Sequence, residues 1–157
     1  MVEHKIELDS QEVRVAVDRM VQRTPKLSRQ VLGELGEAIV ARTNTHYLSG
    51  QVLKRKTGKL AQSVNYKHLN DWSITVGSNL AYAAIHEYGG EIYPKNGPAL
   101  LFKTKAYGKE RWYYLKKVTM PKRPWLSPAI SDIFNTHRAQ EIIDRATKRW
   151  KEKNWHD

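Results

Sequence analysis

Three prolines punctuate one short stretch of this chain, Met120-Pro-Lys-Arg-Pro-Trp-Leu-Ser-Pro128. Each fixes φ and removes a backbone donor, so the stretch can be neither helix interior nor central strand. Residues 120–128 are therefore expected to form a rigid, extended strap, and any sheet must be finished before it. Ser127 ahead of Pro128 is a cap-plus-first-turn signature. It opens a final helix expected over 128–153, with Ile130, Ile133 and Phe134, then Ile143, Ala146 and Trp150 facing inward and the Lys148 to Lys153 end frayed and solvated.

Upstream, the hydrophobic spacing predicts a helical part over residues 10–47. Lys5 to Leu8 reads as a short strand or lead-in, and Val13, Val17, Met20 and Val21 form the stripe of a first helix capped by Asp9 or Ser10. Thr24-Pro25 opens a second helix, running to about Tyr47, with Leu27, Val31, Leu35 and Ile39 on one face and Leu32, Gly36 and Val40 widening it. Residues 49–59 carry two glycines and the run Lys54-Arg55-Lys56, followed by Lys59, a composition that reads as a mobile basic loop.

The sheet is expected within 60–118. Val64 to Leu69 and Trp72 to Gly77 read as a hairpin turning at Asn70-Asp71, with Trp72, Ile74 and Val76 on one face. Ala81 to Tyr88 reads as a short helix closed by Gly89-Gly90. Leu100 to Thr104 and Arg111 to Val118 read as a second hairpin across Lys105 to Glu110. The class is α+β: one domain of 157 residues, with an antiparallel sheet of about four strands packed against a long N-terminal helix and a C-terminal helix.

The chemistry-bearing residues are few. There is no cysteine, which excludes disulfides, thiolate metal sites and cysteine nucleophiles. His86-Glu87 begins like a zinc-protease helix, but the second ligand would fall at Gly90, so His86 reads as a structural residue near a helix end, its ring placed to bond the last carbonyls. Carboxylates between residues 51 and 100 are limited to Asp71, Glu87 and Glu91, and neither a nucleophile elbow nor a phosphate-cradling loop is present. No enzyme, cofactor, metal or small-molecule substrate is expected. The apolar runs fall short of the roughly 20 residues that cross a bilayer, and the opening residues lack a signal peptide's apolar stretch, so neither a membrane span nor export is expected.

The net charge is +11, and the excess lies downstream: residues 1–50 hold seven basic and seven acidic side chains, 101–157 fourteen and six. Such a field attracts nucleic acid or an acidic protein surface and does not choose between them. Beside the clusters Lys54-Arg55-Lys56-Lys59 and Lys116-Lys117-Lys122-Arg123, the rings of Trp72, Trp112, Tyr113, Tyr114 and Trp125 offer stacking faces for a nucleic acid. The plainer reading, favoured by the alternation in Trp112-Tyr-Tyr-Leu115, puts the aromatics in the sheet core.

Three blocks, Thr57-Gly-Lys-Leu-Ala-Gln-Ser-Val64, Ala81-Tyr-Ala-Ala-Ile-His-Glu-Tyr-Gly-Gly90 and Met120-Pro-Lys-Arg-Pro-Trp-Leu126, resemble the small virion-morphogenesis proteins of tailed bacteriophages, the neck, head-to-tail joining and tail-completion proteins. The blocks come in that family's order, and the resemblance covers roughly residues 10–150. It implies a non-catalytic structural protein of the virion neck, assembled in the host cytoplasm. It further implies a homo-oligomeric ring that meets portal-complex or connector proteins and tail proteins and lets DNA pass with non-specific contact. On that basis Arg123, Pro124, Trp125 and Leu126 become candidate partner-interface residues, and Lys54, Arg55, Lys56 and Lys59 a basic loop facing a partner or DNA. The alternative is a basic nucleic-acid-binding module with no assembly role.

Overall fold

The computed structural model describes residues 25–51, 53, 57–106 and 109–154. The expected first helix and the residues Lys54, Arg55 and Lys56 lie outside the described residues.

Helix α1, Pro25–Arg42, is the spine. Its stripe of Leu27, Val31, Leu35 and Ile39 is buried as the spacing requires, with Leu32 and Gly36 broadening the face. At its end Thr43 and Thr45 turn their hydroxyls back to the carbonyls of Ile39 and Ala41, both at 2.8 Å. That competition loosens the regular ladder, and the helix widens into a π-helical segment, Thr43–Gln51, kinked at Gly50 with φ 118°.

A short helix α2, Lys59–Ser63, starts from Gly58 in the left-handed region and leads into the hairpin of β1, Val64–Asn70, and β2, Ser73–Ser78. These strands are antiparallel, with Val64 opposite Ser78 and His68 opposite Ile74. The turn falls one residue later than expected. Asn70 ends β1, its side chain accepts the Trp72 N–H at 2.8 Å, and the register shifts between His68 and Asn70. Trp72 therefore sits exposed at the turn and does not share the face of Ile74 and Val76, which meets the core. Ser28 Oγ, on α1, donates to the Asp71 carbonyl at 2.6 Å and pins the turn to the spine. The hairpin lies close on α1 because Gly36 has no side chain: a Cβ there would stand 2.6 Å from Tyr66 Cγ.

Helix α3, Ala81–Tyr88, ends at Gly89 and Gly90, both at positive φ. Four further strand segments make two separate pairs. Strand β3, Gly90–Ile92, pairs with β6, Val118–Met120, while β4, Leu100–Ala106, pairs with β5, Lys109–Leu115. Among the described residues, three antiparallel two-stranded ribbons stand where one four-stranded sheet was expected. The strand expected from Arg111 to Val118 breaks after Leu115, because the chain leaves the β4–β5 ribbon there to pair with β3, an exchange reinforced by an ion pair between Lys117 and Glu91.

The single C-terminal helix expected over 128–153 is two helices, α4, Ser127–Phe134, and α5, Arg138–Asn154. Thr136 makes the break: its hydroxyl donates to the Asp132 carbonyl at 2.7 Å and accepts the Arg138 N–H, ending one helix and capping the next. Helix α5 packs along α1 through Ile142, Ile143 and Ala146, and it stays regular through the Lys148 to Lys153 stretch expected to fray. Asp132 of α4 accepts hydrogen bonds from Arg42 Nε and the Tyr47 hydroxyl, each at 2.8 Å. These bonds hold its carboxyl below the usual range, while burial first and then the Asp132 carboxylate raise the Tyr47 phenol against the opposing pull of Arg42.

Candidate functional site: a latched strap and a bare ribbon

Pro121 and Pro124 cannot donate, so the accounting of backbone hydrogen bonds across the strap falls on the residues between and after them. The Arg123 N–H donates to the His86 carbonyl at 2.8 Å. Trp125, Leu126 and Ser127 donate their N–H groups to the Glu87 carboxylate at 2.7, 2.9 and 2.9 Å, and the Ser127 hydroxyl donates to it as well. The Trp125 indole N–H reaches the Ala83 carbonyl at 3.2 Å. The strap crosses directly over Gly89, where a Cβ would stand 2.8 Å from the Lys122 nitrogen.

Glu87 is the residue that sequence reasoning missed. It is fully buried, and its four donors converge at the start of α4, whose N-cap residue Leu126 offers no side-chain cap of its own. The carboxylate therefore caps α4 from another element, and its charge is placed against the positive end of that helix. The signal was legible in principle. Ala83 and Glu87 are four apart, so they share the inward face of α3, and three consecutive donors behind a proline need an acceptor.

The first block joins the same assembly. Ser63 Oγ donates to the Leu60 carbonyl at 2.7 Å, so in its 2.7 Å contact with Ser78 Oγ the proton comes from Ser78; Ser78 in turn accepts the Leu80 N–H at 3.2 Å. That relay ties α2 to the start of α3.

The candidate interface residues separate. Trp125, at 1% exposure, and Leu126 lie in the subunit's own core, where the latch draws them, and are not available to a neighbour. Arg123 is exposed, Pro124 half-buried, and Lys59 exposed at the first position of α2. His86 is structural, as expected, but through its backbone carbonyl; its ring Nδ1 is buried with no partner among the described residues. Burial, then the nearby Arg123, lowers its pKa.

The aromatics divide the other way from the sequence reading. Trp112 at 58% and Tyr114 at 71% exposure stand in solvent, with Tyr113 and Phe102 stacked on each other at 5.6 Å. Alternation demands one inward residue in two only where a sheet face is covered, and among the described residues the β4–β5 ribbon pairs with no further strand. Lys103 lies over the Trp112 ring, 5.6 Å from its centre, and pairs with Glu110.

Among the described residues, no group of three or more His, Cys, Asp or Glu side chains is placed to hold a metal ion, and no helix is long and apolar enough to cross a membrane. A model of the phage virion morphogenesis family matches residues 39–151, well over half of the chain. The chain belongs to that family. No curated protein and no solved structure matches it. Family membership associates the protein with the phage virion and with its assembly, and the matched span takes in the π-helical segment, all three blocks and nearly all of α5.

Proposed function

We propose that this phage virion morphogenesis protein is a structural component of the neck or head-to-tail connector, with no catalytic role. It assembles as a ring of identical copies that joins the DNA-filled head to the tail and lets DNA pass. The observation that supports this best is the use made of the three blocks: the second and third meet in the Glu87 latch, with its carboxylate engaged as an acceptor, and the first is tied through Ser63 and Ser78 to the start of α3. In this chain the residues that carry the family resemblance thus build the subunit's own architecture. The neighbours in this reading are portal-complex or connector proteins on one side and tail proteins on the other.

The test is electron microscopy of lysates from phage lacking the protein. DNA-filled heads and finished tails that fail to join are expected, and normal infectious particles would refute the reading. A second reading, a nucleic-acid-binding module, draws on the exposed Trp112 and Tyr114 beside Lys103 and Arg111. It requires DNA binding by the free subunit that falls steeply with salt and needs no assembly.

A further inference from the structure

Among the described residues the ribbon formed by β4 and β5 pairs with no further strand. Opposite residues share a face in an antiparallel pair, so Phe102 and Tyr113, with Leu115, lie on one side, and Leu101 and Tyr114, with Trp112, on the other. All six side chains are exposed, on both sides. The side with Leu101, Trp112 and Tyr114 leaves roughly 400 Å² in water and the other side roughly 250 Å², so a neighbour must grip both sides of the ribbon to approach the roughly 800 Å² that each partner contributes to a standard protein interface. A two-stranded ribbon is marginal by itself in water, and its two outer edges carry unpaired backbone groups.

We propose that this ribbon is the arm with which one copy of the chain docks onto a second copy. The inference rests on the ring reading above and identifies the surface that would close it. Three observations favour protein over nucleic acid. Leu101 and Leu115 offer nothing to a phosphate backbone. Three of the four rings are engaged within the subunit, Phe102 with Tyr113 and Trp112 with the Lys103 ammonium, which leaves Tyr114 alone as an open stacking face. The Lys103 charge is itself paired with Glu110. An arm gripped on both sides by a neighbouring copy would bury all six side chains. Contact through apolar side chains is not weakened by added salt, the opposite of the response of a phosphate-binding surface.

The experiment is sedimentation of the full chain over a concentration series at low and high salt, with thermal melting of the same samples. The wild type is expected to self-associate, and no less at high salt than at low. Trp112→Ser with Tyr114→Ser is expected to weaken association by about 100-fold or more, as for removal of two interface anchors, with the melt unchanged because neither ring lies in the core. If that pair lowers the melt, Tyr114→Ser alone decides, since its ring is the most exposed of the six. An oligomer that survives these substitutions unchanged overturns the arm and leaves the ring reading standing. A wild type that stays monomeric at every concentration and salt defeats the ring reading itself. A monomer that binds a labelled duplex DNA through Trp112 and Tyr114, and releases it as salt rises, assigns the ribbon to nucleic acid and overturns the proposal.

Discussion

Replacing Glu87 by alanine removes the acceptor for three backbone donors and one hydroxyl at once. The Trp125 and Leu126 N–H groups are buried and gain no water in exchange, whereas that of Ser127 is partly accessible. An unsatisfied buried donor costs about 1–3 kcal/mol, so the two buried ones account for roughly 2–6. Loss of the negative charge at the start of α4 adds up to about 1 kcal/mol. Against this, the variant no longer has a carboxylate to desolvate, which brings the expected net loss to about 3–4 kcal/mol. Single domains are stable by only about 5–15 kcal/mol, and at this size each kcal/mol moves the midpoint by about 2–4 °C, so Glu87→Ala should lower the melting temperature by roughly 6–16 °C. Glu87→Gln, which keeps the volume but turns an NH2 group toward donors, should lose about half as much. Circular dichroism melts of both variants, with amide exchange at Trp125 to Ser127, make the comparison. A shift below about 2 °C for the alanine variant, with those amides still protected, would refute the argument that this carboxylate latches the strap.

Gly36→Ala should cost about 1–3 kcal/mol in a denaturant titration, since the new Cβ would meet Tyr66 Cγ at 2.6 Å. Gly33→Ala, whose nearest neighbours stand at 3.6 Å, should be neutral or stabilising by helix propensity. Trp125→Ala should lower the subunit's own stability by about 3–5 kcal/mol, as for a core aromatic, and a normal melt for this variant would contradict its burial. Burial is the leading cause of lowered pKa values at both His68 and His86, where the neighbouring cations Arg29 and Arg123 act in the same direction. The folded state thus takes up these protons later than the unfolded one. The stability they contribute is complete above the ordinary value of 6.5 and is lost as pH falls through the lowered folded values; His86→Gln should flatten that acid slope, as followed by melts in a pH series.

The helices of this fold were largely legible because each carries a one-sided apolar stripe that tertiary packing satisfies. The Leu27 to Ile39 stripe and the Ser127-Pro128 start are where the spacing puts them. Where a side chain redirects the backbone, periodicity is silent. Thr136 splits the C-terminal helix and Asn70 moves the turn by one residue, each through a local hydrogen bond that a hydrophobic pattern does not register. The strap was recognised from its prolines, but its role was read outward, toward a neighbour, because the acceptor for its amides stands some forty residues upstream. The ribbon misled in the converse way. Alternation in β5 indicates a strand but not whether anything covers it, and here exposed rings occupy both sides.

The short pairing of β3 with β6 brings the chain back, at Met120, to the place it left at Gly90. Everything between is an excursion whose two ends are clamped beside the latch. Closing a longer excursion costs only about 0.6 kcal/mol for each doubling of its length, so residues added to or removed from the ribbon would leave α1, α3 and α5 where they are. The recognition surface of this protein can therefore diversify in reach and in side chains while the body that carries it stays the same. Selection can act on the two separately.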